Sequence, residues 1–410
     1  MKPNEKHLEL FYQLDSLIIF RDLLQDPVIC KLKELITADV LYNLKPLSES
    51  PDIFVDPGSY CSFASTLFKQ FPSLSRYILN AVLNNENMYL LSKAQGKQIP
   101  ETLEKSLLYE LKILEEISQI SSTDIRIYTL YKGYLPAWDT EKLNFIEKYQ
   151  QRIQLVPVEG YGIYSRYNMF IYKQGLILPV KHPDDQSIEQ LIGYERQKNL
   201  VMQNTESLVS GKGASNVLLY GDAGTGKSST VKAVANHFRT RGLRLVEITK
   251  QQLYQLPEII EILSDNPLKF IIFIDDLSFT KNDDNFSTLK AMLEGSVSGR
   301  KNNIAIYATS NRRHLVKESV GDRTGNELFL NDTLQEIMSL SARFGLAITY
   351  ERPRKDEYLE IIKYLAAEAH LELAEEELVI KAEAHALFCN GRSPRVAKQF
   401  IELEKAGISV

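Results

Sequence analysis

Cysteine is scarce in this sequence, and hydrophobic runs long enough to cross a membrane are missing. The three cysteines, Cys30, Cys61 and Cys389, are odd in number and far apart. They therefore indicate neither a disulfide framework nor a zinc site, and they fit a reducing cytoplasm. No apolar run reaches the roughly 20 residues that a transmembrane helix needs, and charges interrupt the N-terminal segment, unlike a signal peptide. We expect a cytoplasmic protein with no membrane partner.

A basic excess, which would favour a nucleic-acid partner, is also absent. The formal net charge is −5, and residues 1–180 carry 19 Lys and Arg against 21 Asp and Glu. Charge alone therefore implies no nucleic-acid partner, although it leaves room for a local basic face. With 410 residues, 44% of them hydrophobic, the chain is long enough for two or three globular domains.

The hydrophobic patterns divide the chain into three parts. Residues 1–180 are predicted to be a mostly helical N-terminal domain with a short strand pair near 155–180, where aromatic, β-branched and glycine residues are concentrated. In residues 181–352 apolar strands alternate with helical patterns, which predicts an α/β core with a five-stranded parallel sheet. Residues 353–410 have a purely helical pattern. The predicted strands are Asn216–Tyr220, Leu243–Ile248, Phe270–Ile274, Ile304–Ala308 and Leu346–Tyr350.

The strongest motif lies between the first of these strands and a helix-compatible run. It reads Gly221-Asp222-Ala223-Gly224-Thr225-Gly226-Lys227-Ser228 and matches G-x-x-x-x-G-K-[ST], the P-loop. Its glycines allow backbone N–H groups to surround phosphate oxygens, and the following helix directs its positive end at the same anion. Lys227 would reach the β- and γ-phosphates and Ser228 would ligate Mg²⁺. We expect this motif and the adjoining Ser229 to bind ATP; a chance glycine-rich turn is the alternative.

A buried strand that ends in two carboxylates is the second motif. Residues 270–276 have the Walker B pattern, in which Asp275 would hold Mg²⁺ through water and Asp276 would orient the attacking water. Many proteins with this motif have glutamate at the second position. Because aspartate is one methylene shorter, we expect the water to sit differently or turnover to be slow. A strand that ends in a solvated acidic turn is the alternative.

A third strand, Ile304–Ala308, leads into the small polar residues Thr309, Ser310 and Asn311. In a sheet of this kind, that end lies beside the γ-phosphate. Asn311 is the better candidate to help hold the attacking water, and Ser310 is the alternative. Ordinary strand-to-loop chemistry would also explain these residues, since serine and asparagine favour turns.

Taken in this order, the motifs resemble the AAA+ superfamily over a little more than half of the chain. The segment Ser341-Ala342-Arg343-Phe344-Gly345-Leu346 resembles the arginine-finger segment of the replication initiator DnaA, and residues 391–397 resemble the sensor-2 segment of the branch-migration motor RuvB. Residues 191–195 are similar to the segment that lies along the adenine in many AAA+ proteins. As a whole the sequence is most similar to a family of uncharacterised bacterial AAA+ ATP-binding proteins, and residues 307–315 support this likeness.

The resemblance implies an AAA+ core at 181–352, a helical lid at 353–410, bound ATP and Mg²⁺, and a homo-oligomer. Arg343 would face the ATP of a neighbouring subunit, where its guanidinium stabilises charge on the γ-phosphate. Arg395, at the start of a lid helix, would contact the γ-phosphate of its own subunit and couple the lid to the nucleotide. Ile192 and Gly193 would lie along the adenine. Each arginine has an alternative role in an ion pair with a local carboxylate.

We therefore interpret the chain as an ATPase that hydrolyses ATP at subunit interfaces to remodel or load a macromolecular target, either DNA or protein. The alternative is a slow nucleotide-dependent switch that recruits a partner through residues 1–180, and the short acid at Asp276 favours it. A small-molecule kinase fits less well, because its lid would be inserted in the core. Aromatic and basic residues alternate in residues 161–173, which is typical of single-stranded nucleic-acid binding or, more often, of strands that pack on a neighbour.

Overall fold

The computed structural model describes residues 3–44, 57–126, 131–277, 284–293, 302–311 and 342–408. The chain divides into two compact units, Met1–Gly162 and Ile163–Val410. None of the helices described in these ranges is both long and apolar enough to cross a membrane.

The first unit is built from helices. Because apolar side chains recur at helical spacing, each long helix buries one face in a shared core that includes Phe20, Phe63, Leu114 and Tyr149. The helices are α1 (Pro3–Asp15), α2 (Pro27–Leu44), α3 (Pro57–Phe68), α4 (Leu74–Asn84), α5 (Met88–Ala94), α6 (Glu101–Ile117), α7 (Ser122–Arg126) and α8 (Phe145–Glu159), with a 3₁₀ turn at Arg21–Gln25.

A buried carboxylate fixes the turn that follows α1. Glu110 of α6 is 2% exposed, and its two oxygens accept hydrogen bonds from the backbone N–H groups of Ile18, Ile19 and Phe20 at 2.9–3.1 Å. A buried charge is costly unless hydrogen bonds compensate it. These bonds satisfy Glu110 and three backbone donors at once, and so join the chain after α1 to α6.

The second unit is built on a seven-stranded sheet in the order β2-β1-β4-β5-β6-β3-β7. Every neighbouring pair is parallel except β1 and β2. The strands are β1 (Met169–Lys173), β2 (Leu176–Pro179), β3 (Val217–Gly221), β4 (Leu243–Ile248), β5 (Lys269–Ile274), β6 (Ile304–Ser310) and β7 (Leu346–Tyr350). The helices that accompany them are α9 (Ile163–Arg166), α10 (Glu195–Val209), α11 (Lys227–His237), α12 (Leu256–Ser264) and α13 (Asp284–Leu293), with 3₁₀ turns at Arg239–Arg241 and Lys250–Gln255.

The prediction of five strands was wrong, because the sheet has two more. The five predicted strands are neighbours in this sheet, in the order β4-β5-β6-β3-β7. The hairpin β1–β2 extends this part, since β1 pairs with β4 in parallel and places Phe170 opposite Val246. Sequence analysis had assigned the strand pair to the N-terminal domain. In the structure, Phe170 and Tyr172 are buried in the same core as β4 and β5, which ties the hairpin to the sheet.

The aromatic run around this hairpin packs against the sheet. The ring of Tyr164 lies 5.0 Å from that of Phe170 and 5.5 Å from that of Phe270, measured between centroids. The backbone carbonyl of Tyr164 accepts a hydrogen bond from Arg244 at 2.7 Å. These contacts agree with strands that pack on a neighbour, the second of the two readings of this segment.

Three helices follow the last strand and have a core of their own. They are α14 (Lys355–Glu368), α15 (Glu375–Phe388) and α16 (Pro394–Lys405). Tyr358, Ile362, Ala382 and Phe400 are among the residues buried between them. A serine N-cap starts α16, where the Ser393 hydroxyl accepts from the N–H of Val396 at 3.2 Å. The helices therefore form a small subdomain at the end of the chain.

Candidate nucleotide-binding site

The P-loop motif forms the turn from the carboxyl end of β3 to α11. Gly221 has φ +129°, and a Cβ there would come within 2.1 Å of the carbonyl oxygen of Tyr350. Only glycine fits this position without displacing the backbone. The N–H of Asp222 donates to the same Tyr350 oxygen at 2.9 Å. The loop is thus held against the end of β7, and α11 begins at Lys227 with the free N–H groups of its first turn beside the loop.

Lys227 is enclosed by the loop it belongs to. Its side chain is 5% exposed, and Nζ donates to the carbonyl oxygens of Gly221 at 3.2 Å and Asp222 at 2.6 Å. Burial is the largest influence and lowers the pKa of Lys227, against the raising effect of nearby carboxylates. An anion bound in the loop would offset this cost of burial.

Three hydrogen bonds converge on one oxygen of Asp275, directly after β5. Asp275 Oδ1 accepts from the Ser228 hydroxyl at 2.6 Å, from the N–H of Asp276 at 3.1 Å and from the Thr309 hydroxyl. In the described part of the chain, the hydrogen bonds to Asp275 all fall on Oδ1. The orientation of the carboxylate is therefore fixed while Oδ2 keeps its capacity as a ligand.

These oxygens suit a magnesium ion held jointly with phosphate. Mg²⁺ prefers oxygen ligands and usually takes one or two carboxylates together with phosphates and water. Within the described residues, no group of three His, Cys, Asp or Glu side chains could hold a metal ion by itself. The contact between the Ser228 hydroxyl and Asp275 supplies the protein share of such a site, so the residues present fit Mg²⁺ bound with a nucleotide.

Asp276 and Asn311 contact each other at the cleft. Asp276 has φ +52°, a left-handed conformation that few residues other than glycine adopt, aspartate among them. Its N–H donates to the Thr309 hydroxyl at 3.0 Å, and its Oδ1 accepts from Asn311 Nδ2 at 2.8 Å. Side chains alternate along a strand, so Thr309 and Asn311 share one face and Ser310 takes the other. Ser310 is fully buried and does not line the cleft.

A cleft of about 860 Å³ joins the P-loop to residues 184–194 and to the C-terminal helices. Its volume falls within the roughly 300–1,000 Å³ typical of small-molecule sites. The expected adenine-binding residues Ile192 and Gly193 line it, and so does Ser229. The C-terminal helices contribute Ile361, Leu365, Glu368, Pro394, Arg395 and Lys398.

Arg395 reaches the cleft because α16 begins against the P-loop. The N–H of Arg395 donates to the carbonyl oxygen of Gly224 at 3.2 Å. Gly224 has φ +78°, and a Cβ there would lie 3.0 Å from the Ser393 hydroxyl. The contact is close enough that a larger residue at 224 would push the helix away.

Of the predicted site residues, Gly221, Asp222 and Ala223 belong to the P-loop without lining the cleft, and Arg343 lies farther away. It precedes β7, whose first residue, Leu346, is opposite Val217 at the beginning of β3. The P-loop leaves the other end of β3, where Gly221 is opposite Tyr350. At about 3.3 Å per residue, roughly 13 Å of strand separates the two ends. Arg343 is half-buried and is not part of its own chain's cleft.

Comparison with known proteins places the second unit in a family. Residues 165–407 match the family described as "Protein of unknown function (DUF815)". The chain belongs to this family. No curated protein matches it.

Among solved structures, the Holliday junction branch migration motor RuvB of Thermotoga maritima matches this DUF815 chain at 16% identity. The match covers 54% of this chain and 67% of that one, with a TM-score of 0.36. A variant of the same RuvB matches at 18% identity with the same coverages and a TM-score of 0.38. The similarity is too distant to transfer any property of RuvB. The AAA+ resemblance stands instead on the P-loop in a parallel sheet and the helical subdomain behind it.

Sequence reasoning missed three residues that shape the DUF815 site. Thr309 and Tyr194 each lie within a motif that the sequence analysis names, but neither was given a role of its own. Tyr194 has φ +59°, donates from its hydroxyl to the carbonyl oxygen of Glu351 at 2.7 Å, and stacks on Tyr350 with centroids 5.0 Å apart. Lys198 is buried and donates to the carbonyl oxygen of Leu191 at 2.5 Å. Tyr194 and Lys198 hold the Ile192–Gly193 segment from both ends. In the sequence, the aromatic residue directly after Gly193 was the available signal of this role.

Proposed function

We propose that this chain is a cytoplasmic AAA+ ATPase that binds ATP with Mg²⁺ in the cleft and hydrolyses it at interfaces between its own copies, to remodel or load a macromolecular target. The observation that carries the proposal is the convergence in one cleft of the P-loop, the Asp275–Asp276 pair, Asn311 and Arg395. These groups come from three strand ends and one C-terminal helix. If these residues had only structural roles, the fold would not need to bring all of them into one cleft.

Binding follows from the P-loop and its surroundings. The first turn of α11 and Lys227 supply positive charge to the phosphates, and Lys227 exchanges its bonds to backbone carbonyls for phosphate oxygens. Ser228 and Asp275 would hold Mg²⁺, which supplies further charge neutralisation at the phosphates. Ile192, Gly193 and Ile361 provide an apolar wall for the base. The cleft thereby separates a charged end from an apolar end, as ATP does.

Hydrolysis requires a positioned water and stabilisation of the charge that develops on the γ-phosphate. The Asp276 carboxylate orients the water, and Asn311, whose amide already donates to Asp276, holds that carboxylate in place. Arg395, on the C-terminal subdomain, reaches the same end of the cleft, so its orientation depends on the lid. These roles use groups that contact each other or line the same space.

The position of Arg343 supports a site shared between copies. An arginine at the opposite end of β3 from its own P-loop does not serve that loop, but it can serve the P-loop of a neighbour in a head-to-tail assembly. Arginine is suited to this role because its planar guanidinium donates to several phosphate oxygens at once.

The test is the mass in solution with and without a slowly hydrolysed ATP analogue, measured by light scattering for the wild type and Arg343→Ala. We expect the analogue to drive the wild type into a defined oligomer. We expect Arg343→Ala to assemble but to lose hydrolysis by about 10³-fold or more, the contribution of an arginine supplied in trans. Arg76→Ala, which removes an exposed arginine of the first unit, is the control and should behave as the wild type. A protein that stays monomeric with the analogue bound would contradict the proposal.

The second candidate is a slow nucleotide-dependent switch that recruits a partner through its N-terminal part. The aspartate at position 276 favours it, because the shorter side chain places the carboxylate farther from the water. Single-turnover hydrolysis of the wild type and Asp276→Glu separates the two. If Asp276→Glu hydrolyses ATP much faster than the wild type, the natural residue restrains turnover and the switch is supported. Turnover of many ATP per minute by the wild type alone would exclude it.

A further inference from the structure

We infer that Thr309 is the positioning residue that orients both acidic residues of the site toward Mg²⁺ and nucleotide. The inference rests on the proposed function, because it deepens the account of the same site. We assign Thr309 no direct contact with the nucleotide, because it acts through Asp275 and Asp276.

Thr309 is placed by the pairing of two parallel strands. Ala308 of β6 is opposite Ile274, the last residue of β5, so the next residue on each strand is Thr309 and Asp275. The backbone carbonyl of Thr309 accepts from the N–H of Leu277 at 2.7 Å, which closes the turn that contains both acids. The Thr309 side chain is 2% exposed. Its hydroxyl is therefore enclosed between the strand end and that turn.

A single hydroxyl makes two different hydrogen bonds here. Its proton is donated to Asp275 Oδ1, and its oxygen accepts from the N–H of Asp276 at 3.0 Å. The first bond fixes the rotation of the Asp275 carboxylate and leaves Oδ2 as the free ligand atom. The second bond satisfies the N–H of a residue in a left-handed conformation. Only a side chain with both a donor and an acceptor can do both, so serine would replace threonine and valine would not.

Loss of the Thr309 hydroxyl should affect the binding of Mg²⁺ more than the binding of the nucleotide without metal. Residues that hydrogen-bond to a ligand set its orientation and its metal affinity. Without the hydroxyl, Asp275 keeps its bonds to Ser228 and to the N–H of Asp276, but one restraint on its rotation is lost. The P-loop contacts to phosphate do not involve Thr309. Loss of the hydroxyl should therefore weaken the part of nucleotide binding that depends on Mg²⁺ and spare the rest.

The experiment measures equilibrium binding of a fluorescent, slowly hydrolysed ATP analogue across a range of free Mg²⁺ concentrations and in EDTA. Thr309→Val is expected to raise the Mg²⁺ concentration for half-maximal binding by about 10–100-fold. Binding in EDTA should stay at the wild-type level, and Thr309→Ser should restore the Mg²⁺ dependence. The matched control is Thr205→Val. Thr205 is also fully buried, and its hydroxyl also makes two hydrogen bonds, to the carbonyl oxygen of Val201 and to the hydroxyl of Tyr307.

Two results would overturn the inference: an unchanged Mg²⁺ dependence in Thr309→Val, or an equal loss of binding with Mg²⁺ and in EDTA. If Thr309→Val lowers the folded fraction, as circular dichroism would show, Thr309→Cys keeps a small side chain with a weak donor and should give an intermediate shift. Failure of the proposed function has a different signature. In that case the wild type itself would bind no nucleotide, with Mg²⁺ or without it.

Discussion

Lys227 links the electrostatics of the P-loop to the proposed binding of a triphosphate. Its ammonium is buried and, among the described residues, donates to two neutral carbonyl oxygens at 3.2 and 2.6 Å. Burial therefore lowers its pKa from the ordinary value of 10.5, although Asp222, Asp275 and Asp276 act in the opposite direction. A triphosphate in contact with Nζ favours the charged form and would reverse this shift.

We therefore expect nucleotide binding to take up a proton in the alkaline range below pH 10.5. Above its lowered pKa, the lysine of the free site is partly neutral, whereas the lysine of the bound site stays charged. Affinity should fall as the pH rises through the pKa of the free site. Calorimetric titrations of the ATP analogue in two buffers with different ionisation enthalpies measure this uptake. Identical heats in both buffers at alkaline pH would contradict the prediction.

Most of the residues that sequence reasoning named line one cleft, but sequence reasoning did not predict the hydrogen bonds between them. The P-loop and the two acids are visible because motif spacing reports which backbone segments approach the phosphates. Thr309 was not visible as a functional residue, because a hydroxyl at the end of a strand is ordinary. Its partners Asp275 and Asp276 directly follow β5 and precede Thr309 by 34 and 33 residues in the chain, and the pairing of β5 with β6 brings them together.

At the level of elements, strand positions were predicted well and strand partners were not. Leu243–Ile248 and Leu346–Tyr350 agree with β4 and β7 residue for residue. Local alternation of apolar residues determines where a strand forms. The strand pair near 155–180 was also expected, but its place beside β4 was not. Side-chain burial between distant segments determines strand order, and no local pattern reports it.

The turn between α15 and α16 illustrates how elements are joined at the site. Arg352, two residues after β7, donates from its N–H to Asp222 Oδ2 at 3.0 Å and from Nη1 to the carbonyl oxygen of Asn390 at 2.8 Å. One residue therefore contacts both the P-loop and the turn that precedes α16. Gly391 has φ +138°, and a Cβ there would lie 2.3 Å from Arg352 Nη1. Glycine at 391 leaves room for the guanidinium.

We expect Gly391→Ala to weaken nucleotide binding by changing the orientation of α16. The methyl group would displace the Arg352 guanidinium and strain the backbone by about 1–3 kcal/mol. Because Arg395 and Lys398 of α16 line the cleft, the dissociation constant of the ATP analogue should rise. Fluorescence titration measures this change. Gly407→Ala is the matched control, since Gly407 also has a positive φ, +70°, but a Cβ there meets no atom within 4 Å. An equal loss of affinity in both variants would show that backbone strain alone is responsible.

At the scale of the whole molecule, each of the two units has hydrophobic cores of its own among the described residues. One cluster contains buried residues of the first unit, from Leu10 to Tyr149, and the remaining clusters contain residues of the second unit. Sequence analysis expected separate domains because the patterning changes along the chain. It set the first boundary near residue 180, after the strand pair, whereas the two units divide at Gly162 and Ile163. The periodicity of apolar residues indicates that a strand pair exists, but it does not indicate in which core that pair is buried.

Separate cores should give separate unfolding transitions, because cooperative unfolding follows shared burial. All of the residues that line the cleft belong to the second unit. A nucleotide that binds there, at a free concentration of about 100 times its dissociation constant, stabilises the unit that holds it by about 2.7 kcal/mol.

We expect calorimetry to show two unfolding transitions and the ATP analogue with Mg²⁺ to raise the temperature of one of them. Glu110→Gln should lower the other, since it disturbs buried hydrogen bonds in the first unit at a cost of about 1–3 kcal/mol. The transition that the nucleotide shifts is thereby assigned to the second unit, and the transition that Glu110→Gln shifts is assigned to the first. A single transition whose temperature is shifted both by the nucleotide and by Glu110→Gln would instead mean that the two units unfold as one. In that case, the free energy of nucleotide binding would stabilise residues 1–162 as well.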